Sequence, residues 1–243
     1  MVLSVLMIPV QAAVGGEDIT TTITTNSWAL RGGIALSATA FESYNTRTRP
    51  KNFHQGMSFA SQIGYKWSDI ELSIASYCTI TETQAVYLQV GDSKIKVNEV
   101  HLLDATFGPK LRYYSSVPLF KQWVPYATLA WLQGLITLKF VGGEFSGPLV
   151  SPYHKLAYQS SGFLIGAGIE SHKTANYNSD NPWTKFTNNF PEVFYEIVYK
   201  YLRGSKVSVV GGTKKEVKTL LTEDRNYWIK EHTFMLVVGM KIF

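Results

Sequence analysis

The sequence predicts an all-β protein: a closed antiparallel up-and-down transmembrane β-barrel of about eight strands, preceded by an N-terminal signal peptide. Three observations carry this. Apolar residues recur with a period of two, the spacing at which side chains line one face of a strand. The connections between these segments alternate between tight and long. Aromatic residues make up 14% of the 243 residues and charged residues only 17%, against about 25% charged in an ordinary soluble domain.

The chain divides into residues 1–12, a signal peptide; 13–27, an N-terminal periplasmic segment; and 28–243, the barrel. Met1–Pro9 is apolar, and Val10-Gln11-Ala12 puts small residues where a signal peptidase reads. The usual basic start is missing, which points to a signal truncated at its beginning. No apolar run reaches the roughly 18 residues of a helical membrane span.

The first strand runs from about Trp28 to Tyr44. Gly56 to Trp67 follows, with Met57, Phe59, Ile63, Tyr65 and Trp67 opposite Ser58, Gln62 and Lys66. A tight turn at Ser68-Asp69 leads to Ile70–Thr83, where Ile70, Leu72, Ile74, Cys78 and Ile80 oppose Glu71, Ser73, Tyr77 and Thr79. Gln84–Asn98 reads as an extension of this hairpin, turning at Gly91-Asp92. In Glu99–Tyr114, Leu103, Phe107, Leu111 and Tyr113 face away from Asp104, Thr106, Lys110 and Arg112.

The fifth strand, Trp123–Phe140, sets Tyr126, Leu132, Ile136, Leu138 and Phe140 against Gln133, Thr137 and Lys139. Ser160–His172 and Glu192–Val210 follow, the latter with Val193, Tyr195, Ile197, Tyr199 and Tyr201 opposing Glu196 and Lys200. Asn226–Phe243 closes the set, and Thr213–Glu223 is the one stretch with a short helical pattern.

A sheet that crosses a bilayer must close, because hydrocarbon offers no partner to an unpaired amide. About 9–11 residues suffice for each crossing. The apolar faces carry Trp28, Tyr44, Trp67, Tyr113, Trp123, Tyr126, Phe140 and Tyr201, as two aromatic girdles at the membrane interfaces would require. The opposite faces carry Arg31, Lys66, Glu71, Asp104, Lys110, Arg112, Lys139, Glu170, Glu196 and Lys200. An eight-stranded barrel has too little interior for that many aromatics. The charges are therefore expected inside as a paired network, for example Glu196 with Arg112 or Asp104 with Lys139, with the aromatics facing lipid.

Cys78 is the single cysteine, so no intramolecular disulfide forms. The net charge of +5 is spread along the chain without a basic helix, which disfavours nucleic acid as a partner. The five histidines show no metal-ligand spacing, and neither a metal nor a cofactor is expected. Ser160 and Ser161, with His154 and Asp92 in neighbouring loops, are the nearest approach to a hydrolytic set. No motif ties them together, and the expectation is not an enzyme. Two rivals remain: a lipid-modifying enzyme of the membrane, and a soluble lipocalin-like barrel around an apolar ligand.

The carboxyl-terminal stretch Phe234-Met235-Leu236-Val237-Val238-Gly239-Met240-Lys241-Ile242-Phe243 resembles the last strand of outer-membrane barrels. That likeness gives Phe243 the role of a signal read by the barrel-assembly machinery. Here Lys241 and Gly239 take positions that are usually apolar, so Lys241 is expected either to snorkel at the rim or to mark a register shift. Phe107–Tyr113, Val124–Ala127, Gly162–Glu170 and Phe194–Tyr201 resemble, in order and spacing, the small bacterial outer-membrane barrel superfamily that includes OmpW and opacity-type proteins. The resemblance implies an outer-membrane location with both termini periplasmic, surrounded by lipid and lipopolysaccharide. It also implies a structural or surface-interaction role, or a narrow conduit for small or hydrophobic molecules.

Overall fold

The computed structural model describes residues 26–43, 53–90, 93–119, 123–141, 155–172, 191–210 and 227–242. Eight strands follow one another in chain order: β1 (Asn26–Ser43), β2 (His54–Trp67), β3 (Ile70–Val90), β4 (Ser93–Tyr114), β5 (Trp123–Val141), β6 (Lys155–Ser171), β7 (Glu192–Val210) and β8 (Ile229–Lys241). Every neighbouring pair is antiparallel, and β8 pairs with β1, from Arg31↔Lys241 to Ser43↔Ile229. The sheet is thus a closed barrel, which leaves no edge along its wall.

Both described ends of the chain lie at one rim, here the terminal rim, with the Ser68-Asp69 turn and residues 115–119. At the opposite rim, here the loop rim, lie the ends of β1, β3, β5 and β7 and the starts of β2, β4, β6 and β8. At Ser68 the backbone takes φ 50°, the left-handed conformation of a tight turn. The signal peptide, Tyr44, the stretch Thr213–Glu223 and Phe243 lie outside the described residues.

Most strand limits agree with the sequence pattern, and β3 and β4 continue past the barrel wall as the expected hairpin extension, a paired ribbon reaching Val90↔Ser93. Other limits differ by a few residues. β6 starts at Lys155, inside a stretch expected to be loop, and β1 starts at Asn26 rather than Trp28. A bulge in β7 displaces Lys206, at φ 51°, between the pairs Tyr158↔Val207 and Gln159↔Ser205. An extra residue at a barrel rim bends the strand in this way.

Alternation decides what faces where. Each strand turns large apolar residues outward, among them Ile34, Phe59, Ile74, Phe107, Leu129, Ile165, Ile197 and Leu236, which are 47–66% exposed. Inside, two kinds of residue are packed. Toward the terminal rim the lumen is filled by charge. Toward the loop rim it is filled by an apolar cluster that includes Phe41, Leu102, Ile136, Leu138, Phe140, Leu156, Tyr158, Leu202 and Ile229.

The fifth strand is a correction to the sequence pattern. Tyr126, Leu132, Ile136, Leu138 and Phe140 face inward, and Leu129, Trp131, Leu135 and Lys139 face outward. Residues directly opposite in a ladder share a face of the sheet. Pairing Lys110↔Ala130 and Arg112↔Thr128 puts the even-numbered residues of β5 on the luminal side. Both faces of β5 are rich in apolar residues, so the polar minority, Gln133, Thr137 and Lys139, gave the wrong phase.

Candidate functional site

The lumen gathers the chain's buried ionic chemistry. Residues far apart in sequence arrive there because antiparallel pairing brings inward positions of β1, β3, β4, β6 and β7 to one height. Arg31 on β1 sits at the centre. Its Nη1 donates to Glu71 Oε1 at 2.6 Å. Its Nε and Nη2 donate to the two oxygens of Glu170, each at 3.0 Å. This planar fork against a carboxylate is the arrangement a guanidinium makes best.

Arg112 Nη1 donates to Glu170 Oε2 at 2.9 Å, and its Nη2 lies 3.7 Å from Glu196 Oε2. The Arg112 guanidinium also stacks on the Tyr126 ring, 4.1 Å from the centroid. Tyr114 donates to Glu71 Oε2 at 2.9 Å, and its ring carries the Lys66 ammonium at 3.9 Å. Lys110 donates to both oxygens of Glu196, at 2.9 and 3.0 Å, and to the Tyr77 hydroxyl at 3.0 Å. With its amide oxygen turned toward the guanidinia, Gln62 accepts from Arg31 and Arg112 at 3.1 and 3.2 Å.

A second cluster lies nearer the loop rim. Lys200 donates to Asp104 Oδ1 at 2.6 Å and to Thr79 at 2.9 Å, and lies 3.3 Å from Glu231 Oε1. Thr233 donates to Glu231 at 2.7 Å, and Thr39 meets Thr233 at 3.1 Å. Among the described residues, the buried luminal charges are Arg31, Lys66, Lys110, Arg112 and Lys200 against Glu71, Asp104, Glu170, Glu196 and Glu231. Five cations meet five carboxylates, so the network as a whole is neutral. Neutrality matters because an unpaired buried charge carries a desolvation cost of several kcal/mol.

The structure thus brings together nine of the ten charged residues that the alternation placed inside. Lys139 is the exception: it faces outward at the loop rim, across from His101 and Lys155. Asp104 is paired with Lys200 instead, while Glu196 does meet Arg112. Glu231, Tyr77 and Tyr114 were not foreseen as members of the network. The apolar set Phe234, Leu236, Val238 and Met240 does give β8 its phase, and counting back along it puts Glu231 inside. Lys241 neither snorkels nor shifts the register: it holds its pairing with Glu192, donating to its carboxylate at 2.6 Å.

Of the girdle residues, Trp28, Trp67, Tyr113 and Trp123 face outward around the terminal rim, where Tyr65 packs edge-on against Trp28 and Trp67. Tyr201 faces outward toward the loop rim beside Phe163 and His232. Tyr126 and Phe140 do not belong to a girdle: both are buried inside, because β5 takes the opposite phase.

A cavity of about 10 Å³ lies among Arg31, Gln62, Tyr77, Lys110 and Glu196, enough for about one water molecule. The carboxylates of Glu170 and Glu192 come close to the His172 ring, as a metal site would need. Both are already committed, Glu170 to Arg31 and Arg112 and Glu192 to Lys241, and these cations oppose a further one. Ser160 points into the lumen and Ser161 to the outside, so they do not share a site. His154 and Asp92 lie outside the described residues.

These features define a class: an eight-stranded barrel with a filled interior, ionic toward one rim and apolar toward the other, and an apolar exterior. No protein-family model and no curated protein sequence matches the chain. Among solved structures it is similar to the outer membrane protein OprG from Pseudomonas aeruginosa, at 15% identity over 90% of this chain and 96% of that one, with a TM-score of 0.40. It is also similar to the outer membrane protein AlkL, at 12% identity over 98% and 97% with a TM-score of 0.41. A third is Ail, the attachment invasion locus protein of Yersinia pestis, at 13% identity over 90% and 99% with a TM-score of 0.36.

Proposed function

We propose that this chain is an integral protein of a bacterial outer membrane, inserted with its terminal rim in the periplasm and its loop rim outside. It acts there as a surface-interaction barrel and not as an enzyme. The observation that carries this reading is the inversion of the fold. Charge is packed in the interior, while every strand presents large apolar side chains outward. A soluble protein rarely exposes an apolar patch of more than a few hundred Å², and here the patch encircles the molecule. A hydrocarbon surround removes that cost, and the outward Trp and Tyr around the terminal rim fit a membrane interface.

The filled lumen favours interaction over transport along the axis, since guanidinium, carboxylate and apolar side chains occupy the path. A conduit reading has one observation of its own. Beyond the Lys200 cluster, the end of the lumen at the loop rim is packed with apolar side chains, which would yield to a hydrophobic molecule sooner than to an ion. Fractionation of a Gram-negative host, with gels of boiled and unboiled protein, tests the membrane reading. Heat-modifiable migration from the outer-membrane fraction is expected; a soluble species without a mobility shift would sink it. A planar-bilayer trace separates the two roles: steady large conductance would contradict the closed lumen.

A further inference from the structure

The geometry points to a specific binding site for a phosphate-bearing lipid on the outer wall of the barrel, where β8, β1 and β2 meet. This rests on the membrane reading above and adds an occupant to it. Two independent features converge there. One is a groove of about 700 Å³ in the apolar belt, walled by Leu36, Met57, Ile197, Phe234 and Leu236 and floored at Ala38. Its size falls within the roughly 300–1,000 Å³ of small-molecule sites. Phe53 extends the wall toward the loop rim, its ring 5.5 Å from that of Phe234.

The other feature is a pair of cations above the groove. Lys230 lies on β8, four residues toward the loop rim from Phe234, and faces outward. Arg203 on β7 stands directly opposite it. Like charges directly opposite in a ladder destabilise each other, and the Lys230 ammonium lies 5.1 Å over the Trp228 ring. Glu42 stands opposite Lys230 on the β1 side. Among these three described residues, two cations and one carboxylate leave a single positive charge, which matches the single negative charge of a phosphodiester headgroup.

An acyl chain in the groove and a phosphate between Lys230 and Arg203 satisfy both features at once. The apolar wall gives length and shape, and the cation pair gives charge selectivity. A zwitterionic lipid gains the groove but not the net attraction. A free phosphate gains the cations but not the groove.

The test uses the folded full barrel in detergent, titrated with phosphatidylglycerol or phosphatidylcholine, with retained lipid counted by native mass spectrometry. Preferential retention of one phosphatidylglycerol is expected. At about fivefold per cation near a membrane surface, Arg203→Gln with Lys230→Gln should weaken that retention by about 25-fold. Ala38→Leu, which fills the groove from the lipid side, should also release the lipid while leaving the charges intact. Equal retention of the two lipids, or a double variant that retains as wild type does, would overturn the proposal. So would displacement of the lipid by millimolar inorganic phosphate with Ala38→Leu behaving as wild type, which would mark a plain anion site. Heat-modifiable migration of each variant is read alongside. Its loss in the wild type would count against the membrane reading, whereas its persistence without lipid selectivity would count against this site alone.

Discussion

Glu170→Gln is the sharpest probe of the luminal network. The carboxylate is fully buried and accepts three charge-assisted hydrogen bonds from two guanidinia, at 2.9 to 3.0 Å. Glutamine keeps the shape but removes the charge and one acceptor. The buried set then holds Arg31, Lys66, Lys110, Arg112 and Lys200 against four carboxylates. Breaking a buried pair by removing one partner costs about 3–5 kcal/mol, a fall of two to more than three decades in the folding equilibrium. Urea titration of vesicle-reconstituted protein, followed by Trp fluorescence and by the fraction of heat-modifiable band, reads this loss.

The second arm restores balance. Arg112→Met in the same chain leaves Arg31, Lys66, Lys110 and Lys200 against Glu71, Asp104, Glu196 and Glu231, with Lys110 still on Glu196 and Arg31 still on Glu71. The double variant should be more stable than the sum of the two single losses allows, with a coupling of about 1–3 kcal/mol as residues in one network show. If Glu170→Gln shifts stability by less than about 0.5 kcal/mol, the level of an ordinary surface change, and the pair is additive, then charge balance does not hold this lumen together.

Three further outcomes follow from which way side chains face. Ile74→Arg, near mid-height on the outer wall, should destabilise insertion by about 2–4 kcal/mol, measured by the same titration, whereas Lys139→Arg at the loop rim should be near neutral. Cys78 lies on the outer face between Tyr77 and Thr79, so in vesicles it should react with a lipid-soluble maleimide and resist a charged, water-soluble one. Equal labelling by both would place it in water. At Gly162 an added Cβ meets the Tyr201 carbonyl oxygen on the paired strand, so Gly162→Val should abolish the heat-modifiable form while Ser161→Val, on the outer face, should keep it.

Much of this architecture is legible without coordinates. The period of two and the Ser68-Asp69 turn locate β2, β3 and β4 and give each its correct faces. Glu71, Asp104, Lys110 and Arg112 could be placed inside because an apolar outer face runs opposite them. β5 resisted the same treatment. Its two faces are nearly equal in apolar character, so hydropathy sets the period but not the phase, and Tyr126, Phe140 and Lys139 were assigned to the wrong sides. The apolar end of the lumen is the cause: where the interior is as hydrophobic as the bilayer, alternation carries no sign.

The sequence by itself determined the class of sheet, the number of strands and the inversion of polar and apolar faces, because each of these is a local property of alternation. Only the tertiary structure decided partners. Arg31 meets Glu170 across 139 positions of the chain, and Lys200 takes Asp104 in place of Lys139. Those pairings depend on the stagger at which eight ladders close into one ring, and closure is a property of the whole chain that no segment contains.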